Sequence, residues 1–135
     1  MTAAAAFARL EPLLGTDLGT GNWSPLSSDR IRMFAAAISQ PLEEVPAMML
    51  LALIPGLTAT IKLPIDPPRT SVNYGLDACR AGKPARVGER VRARAMLLAL
   101  DEGASWLQIK RRVTLENEAG EQVLEADTLT RLYWG

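Results

Sequence analysis

The chain has 135 residues, which is enough for one domain and too few for two full hydrophobic cores. Apolar residues make up 48% of it, so a single buried core is expected and a disordered chain is excluded. Lys plus Arg and Asp plus Glu are equal at 15 each, which argues against a nucleic-acid or membrane-surface partner.

Histidine is absent from the chain, and Cys79 is the one cysteine. This excludes a disulfide within the chain, a Cys-based zinc site and a His-ligated metal, so no metal is expected. It also excludes a Ser-His-Asp or Cys-His catalytic group built from this chain alone. Cys79 itself is interpreted as an inert thiol, because it has no histidine to activate it.

No targeting segment is evident. Residues 1–10 have neither a basic stretch nor a long apolar one, as a secretory signal requires. The most apolar stretch, residues 45–57, is too short to cross a bilayer. A soluble, cytoplasmic protein is the expectation.

The first half of the chain is predicted to be mainly helical. A short helix is expected over residues 3–14, followed by a turn-rich segment at 15–21 with no periodicity. Ser27 or Ser28 is an N-cap for a second helix. That helix ends before Pro41, because the residue preceding a proline avoids the helical region.

The next helix, residues 47–57, has no polar face and should be wrapped on most of its sides. Pro46 suits the first helical position. Glu43 and Glu44 lie just before it, where carboxylates favour the positive end of the helix dipole.

From residue 70 onward the pattern changes to strands. A strand is expected over 71–80, and apolar and polar residues then alternate between turns at 101–103 and 118–121. This predicts a long antiparallel meander. The combined prediction is an α+β fold in which an antiparallel sheet wraps a central apolar helix.

Strand register predicts one polar sheet face. Folding the first hairpin about residues 102–104 sets Arg94 near Arg112, and folding the second about 119–120 sets Arg112 near Asp127. Bases and acids then interleave on this face, which is typical of a solvated surface.

Arg111 falls on the otherwise apolar side of its strand. Two interpretations stay open for it: Arg111 crosses a subunit interface, or it pairs with an interior acid.

Four segments, in this order and spacing, resemble MaoC-like hotdog dehydratases. They are residues 23–35 (WSPLSSDRIRMFA), 50–57 (LLALIPGL), 72–76 (VNYGL) and 84–94 (PARVGERVRAR). The resemblance implies one hotdog domain over 1–135, a dimer, and an acyl-thioester pocket at the subunit interface. Active members hydrate enoyl-CoA thioesters with an Asp and a His on a loop before the central helix, and a glycine amide at the helix start stabilises the oxyanion.

The chain departs from that pattern where the chemistry lies. Only residues 39–44 stand in place of the catalytic loop, so the Asp-His pair has no counterpart. The His of the motif falls on Pro46 and its Gly on Ala47, whose amide remains a candidate oxyanion donor. No cofactor is expected, and a coenzyme A thioester is the candidate ligand.

Glu43 and Glu44 are the carboxylates nearest to this position. Either one activates water if burial raises its pKa; otherwise both are solvated acids at a helix start.

Other candidate site residues follow from the resemblance and from side-chain chemistry. Asn73 and Tyr74 belong to the strand that lies near the pocket in the family; the alternative is a core Tyr and an Asn at a bulge. Met48 and Met49, with Met33 and Met96, either line an acyl tunnel or fill core gaps. Guanidinium and ammonium groups outside the strand ladder suit the phosphates of coenzyme A, and these are Arg80, Lys83 and Arg86.

Three functions remain open. The first is a protein without the hydratase dyad that binds an acyl thioester or similar ligand, as a homodimer or beside an active hotdog hydratase. The second is a thioesterase or atypical enoyl-CoA hydratase that uses Glu43 or Glu44 with the Ala47 amide. The third is a structural dimer whose pocket is filled by Met and Leu.

Overall fold

The computed structural model describes residues 1–42 and 44–135; Glu43, one of the two candidate carboxylates, lies outside the described residues. Helix α1 (Ala3–Leu10) opens the chain and continues as a 3₁₀ turn over Glu11–Leu13. The hydroxyl of Thr2 caps α1 by accepting a hydrogen bond from the backbone N–H of Ala5. A membrane-crossing helix is not found among the described residues.

Helix α2 (Ser28–Ile38) confirms the predicted N-cap. The hydroxyl of Ser27 accepts a hydrogen bond from the backbone N–H of Arg30, so Ser27 rather than Ser28 is the cap. The helix ends at Ser39, which adopts the left-handed conformation with φ 56°. Helix α3 (Ala47–Thr58) follows, with Pro46 in the N-cap position rather than inside the first turn.

Six antiparallel strands form one sheet. They are β1 (Asp17–Thr20), β2 (Ser24–Pro25), β3 (Thr70–Ala81), β4 (Arg90–Glu102), β5 (Leu107–Asn117) and β6 (Gln122–Tyr133). Their order is β1-β4-β5-β6-β3, and the short β2 also pairs with β4. The predicted α+β class, with an antiparallel meander and a central helix against it, is confirmed.

The turn-rich segment contains a strand that the sequence did not predict. Asp17–Thr20 pairs with β4 at one edge of the sheet, with an irregular register between Asp17 and Gly19. The carboxylate of Asp17 accepts a hydrogen bond from the backbone N–H of Gly19, which has φ 105°. Because β1 is short and broken by this bulge, it has no apolar alternation by which to recognise it.

The predicted register of the first hairpin is wrong by two residues. Arg94 lies opposite Thr114, and Arg112 lies opposite Met96. The turn is centred later than predicted, and the backbone N–H of Gly103 donates to the carbonyl of Trp106 at 2.9 Å. The second hairpin has the predicted register, with Arg112 opposite Asp127. The polar sheet face therefore exists, with altered partners.

The core lies between α3 and the inner face of the sheet. Met49, Leu50 and Ile54 of α3 are at most 4% exposed and pack on apolar residues of β4, β5 and β6. The prediction that α3 is wrapped on most sides is wrong. Met48 is 68% exposed, and Ala52 and Pro55 are also exposed, so α3 carries an uncovered apolar stripe.

Candidate functional site

A cavity of about 370 Å³ lies between the C-terminal half of α3 and the inner face of β3, β5 and β6. The helix contributes an apolar wall that includes Leu51, Ile54 and Pro55. The strands contribute polar groups, which are Asn73, Arg111, Thr128 and Thr130. The cavity thus combines an apolar wall with a small number of convergent polar groups, as is typical of ligand sites.

Arg111 reaches this cavity because of strand alternation. Ile109 and Val113, two residues to either side of it on β5, are buried in the core, so Arg111 shares their inward-facing side. Burial lowers the pKa of the Arg111 guanidinium from its ordinary value. The group remains a cation at neutral pH, because arginine titrates far above it.

The guanidinium of Arg111 has no acidic partner among residues 1–42 and 44–135. No described carboxylate lies within 4.0 Å of it, and no described acceptor takes a hydrogen bond from it. The interpretation in which Arg111 pairs with an interior acid thus finds no support in the described part of the chain.

The polar groups beside Arg111 come from three neighbouring elements. Asn73 lies opposite Thr130 across the pairing of β3 with β6, so both belong to one row of the sheet. The Thr128 hydroxyl donates to the carbonyl oxygen of Arg111 at 3.4 Å. On the helix side, the Thr58 hydroxyl donates to the carbonyl of Ile54 at 2.8 Å.

No protein-family model and no curated protein matches the sequence. Solved structures do match it. The MaoC-like dehydratase from Rhodospirillum rubrum aligns with a TM-score of 0.72 at 16% identity, over 93% of this chain and 97% of that one. The (R)-hydratase from A. caviae involved in PHA biosynthesis aligns with a TM-score of 0.62 at 18% identity, over 88% of this chain and 96% of that one. The HadBC (3R-hydroxyacyl-ACP dehydratase) complex from Mycobacterium tuberculosis aligns with a TM-score of 0.68 at 17% identity, over 87% of this chain and 96% of the matched chain. The chain has the hotdog fold of the MaoC-like dehydratases.

Asn73 and Tyr74 do not lie together at one site of the hotdog sheet. The β3–β6 register shifts between Asn73 and Gly75, which leaves Tyr74 as an extra residue. Asn73 lines the cavity, whereas the ring of Tyr74 lies 3.7 Å from the guanidinium carbon of Arg131. Arg131 also lies 4.0 Å from the ring of Trp106, so Tyr74 is part of a stacked cluster away from the cavity lining.

The methionines do not line the 370 Å³ cavity. Met49 is 2% exposed and packs in the core, while Met48 is exposed on the uncovered stripe of the central helix. Met33 and Met49 lie along a separate groove of about 280 Å³ between α2 and α3. Met96 is also partly exposed on β4.

The start of the central helix lies at the opposite end of α3 from the cavity wall. Ala47 is partly buried at the first helical position, and the N-cap residue Pro46 makes no side-chain capping hydrogen bond. Glu44 is exposed, so it does not have the burial by which a carboxylate becomes a general base. Glu44, the described member of the candidate pair, therefore lacks the buried environment that a thioesterase or an atypical hydratase would require of its general base.

The candidate phosphate ligands are divided between two places. Lys83 and Arg86 share a surface depression of about 480 Å³ with Glu89 and Glu121, whose charges oppose a bound phosphate. The prediction that Arg80 lies outside the strand ladder is wrong, because Arg80 belongs to β3 and stands opposite Glu125 of β6.

Three threonines that line the cavity are not predicted by the sequence: Thr58, Thr128 and Thr130. Two of them repeat at alternate positions of β6, and this is the one signal in the sequence that marks them.

Proposed function

We propose that this chain is a MaoC-like hotdog subunit that binds an acyl thioester, or a similar ligand with an apolar chain, without a hydratase dyad of its own. The observation that carries the proposal is the 370 Å³ cavity beside α3, with its apolar helix wall and convergent polar groups. This open space argues against a pocket filled by Met and Leu. The absence of histidine from the sequence argues against the hydratase chemistry of active members.

The exposed edge of the sheet supports a subunit interface at this cavity. Strand β3 is twelve residues long and pairs with β6 on one side only, and nearly all of it is exposed. Val72 is 40% and Leu76 44% exposed. A long edge strand with exposed apolar side chains is a template for pairing with another chain. A second subunit on β3 would cover the cavity rim, because Asn73 and Leu76 line the cavity.

The second subunit is either another copy of this chain or an active hotdog hydratase. HadBC, a dehydratase with this fold, is a complex. A heteromeric arrangement supplies what this chain lacks, because the partner's acid and base would act on a ligand bound at the shared interface. A homodimer supplies the interface alone, and then the protein binds its ligand without converting it.

The proposal is tested by melting the purified chain with coenzyme A, butyryl-CoA and octanoyl-CoA, and by assaying crotonyl-CoA hydration and thioester hydrolysis. A ligand at ~100 times its dissociation constant stabilises the fold by about 2.7 kcal/mol, which is a shift of several degrees. We expect a shift that grows with acyl length and no turnover by the chain alone.

Turnover would contradict the proposal if it is lost in Glu43→Gln or Glu44→Gln and kept in the control Glu11→Gln. That outcome would establish the thioesterase or hydratase alternative. The absence of any acyl-dependent shift would remove the thioester ligand for the isolated chain.

A further inference from the structure

The cavity beside the central helix holds a single cationic side chain. Among residues 1–42 and 44–135, Arg111 is the one arginine or lysine that lines it, and the other polar groups in this lining, Asn73, Thr58, Thr128 and Thr130, are neutral. Arg111 is partly buried, and the hydration that its guanidinium loses there is costly unless an anion compensates it. Each of the outward-facing neighbours of Arg111 on β5 has such an anion: Lys110 lies 2.8 Å from Asp77, and Arg112 lies 2.9 Å from Asp127.

We propose that this cavity binds an organic carboxylate of medium chain length, whose carboxylate pairs with Arg111 and whose apolar body packs against Leu51 and Ile54. This goes beyond the proposed function, because it concerns an anion site that no acyl thioester requires. If the ligand is also a thioester, the carboxylate that pairs with Arg111 stands at the far end of the acyl chain from the thioester group.

The donor set favours a carboxylate. The planar fork of a guanidinium matches the two oxygens of a carboxylate, and both hydrogen bonds are charge-assisted. The Asn73 amide and the Thr130 hydroxyl supply neutral donors within the same cavity for the remaining lone pairs, whereas the Thr128 hydroxyl already donates to the Arg111 carbonyl. One cation compensates one negative charge, so the site suits a monoanion better than a phosphate dianion.

The size and walls of the cavity define the rest of the ligand. Its volume of about 370 Å³ is near the lower end of the range of ~300–1,000 Å³ for small-molecule sites. The wall from α3 is apolar over Leu51, Ile54 and Pro55. An apolar body of intermediate length therefore fits better than a sugar, a nucleotide or a long lipid chain.

The test compares octanoate with octanamide, which has the same shape and no charge, by isothermal titration calorimetry. In the wild-type chain we expect octanoate to bind at least ~10-fold more tightly, the lower end of what a hydrogen bond to a charged group contributes. The preference should disappear in Arg111→Gln. It should persist in Arg69→Gln, which removes the same charge from an exposed residue outside the cavity lining.

A thermal melt of the two variants without ligand provides a second readout. Because Arg111→Gln removes a partly buried charge that has no anion beside it, the melting temperature of this variant should be unchanged or higher. A clear drop in the melting temperature would mean that a carboxylate, either that of Glu43 or one from a second copy of the chain, already pairs with Arg111, and the proposal would be overturned. Equal binding of octanoate and octanamide to the wild type would also overturn it, while leaving an acyl-dependent shift with octanoyl-CoA unaffected.

Discussion

Arg111 and Arg112 are neighbours on β5 and lie on opposite faces of the sheet, and they differ in whether a carboxylate lies beside them. Arg112 donates from Nε to Oδ1 of Asp127 at 2.9 Å and from Nη2 to Oδ2 at 3.2 Å. Arg111 lines the cavity and has no acidic partner among the described residues. The pair of Arg112 with Asp127 is a structural element of the outer face, and Arg111 is the basis of the proposed anion site.

Asp127→Asn should reduce the free energy of unfolding by about 1–2 kcal/mol at neutral pH, because the neutral amide lacks the negative charge and keeps only one of the two acceptor oxygens that Arg112 contacts. Asp127 is 8% exposed, so water replaces the lost bonds poorly. Urea unfolding measures the change. Asp101→Asn, at an exposed position, is the matched control and should change stability by less than ~0.5 kcal/mol.

The same pair predicts a pH dependence. The side-chain hydrogen bond from Arg112 lowers the pKa of Asp127 below its ordinary value. A carboxyl with a lowered folded-state pKa stabilises the fold above its unfolded-state pKa of ~3.9, and loses that contribution as the pH falls through the folded-state value. The stability gap between wild type and Asp127→Asn should therefore narrow below about pH 4. A gap that is constant from pH 7 to pH 3 would contradict this assignment.

Ser27→Ala should destabilise the chain by ~1 kcal/mol, because α2 loses the hydroxyl that accepts the backbone N–H of Arg30. Ser28→Ala is the matched control at the adjacent position, and no cap bond is lost there. Chemical denaturation of both variants measures the difference. Equal effects at the two serines would show that the cap contributes nothing.

Gly21→Ala should destabilise the fold by about 2–3 kcal/mol, because a Cβ at Gly21 would collide with the backbone carbonyl oxygen of Leu57 on α3. Gly56→Ala is the control on the same helix, where a Cβ meets no atom within 4 Å. That variant should gain ~0.5–1 kcal/mol from helix propensity. Thermal melts of both variants test the close approach of residue 21 to the central helix.

Val72→Lys should weaken a β3-mediated dimer at least ~10-fold, which corresponds to about 1.4 kcal/mol. Val72 is 40% exposed on β3, and a symmetric interface contains the change twice. Val87→Lys adds the same charge at a residue that is 47% exposed and lies outside the strands. Sedimentation equilibrium measures the dissociation constants. Similar constants for the two variants would indicate that β3 is not the interface.

Local sequence signals predicted the helices and the meander well. Ser27 marks the start of α2, and the apolar alternation on β5 marks both its inward side and the exceptional position of Arg111. The fold class followed from these patterns together. The bulge at Asp17 and Gly19 and the later turn at Gly103 were not predictable, because each shifts the register without changing the composition.

The site was less accessible from the sequence, because it depends on tertiary placement. An all-apolar helix has no polar face to indicate which of its sides is uncovered. The sequence therefore does not predict that Met48 is exposed or that Ile54 forms part of the cavity wall. The family resemblance predicts chemistry at the start of α3, at Ala47. The cavity lies at the other half of the helix, where Arg111 and the threonines of β6 meet it.

The central claim is that the cavity beside α3 binds the acyl part of a thioester, and its most direct test is a calorimetric titration of octanoyl-CoA into the wild type and into Ala52→Phe. Ala52 is exposed and lines the cavity, so a phenyl group there obstructs the cavity without disturbing the core. We predict saturable binding to the wild type and at least ~10-fold weaker binding to the variant, a difference of about 1.4 kcal/mol. Equal affinities, or no binding to the wild type, would contradict the claim.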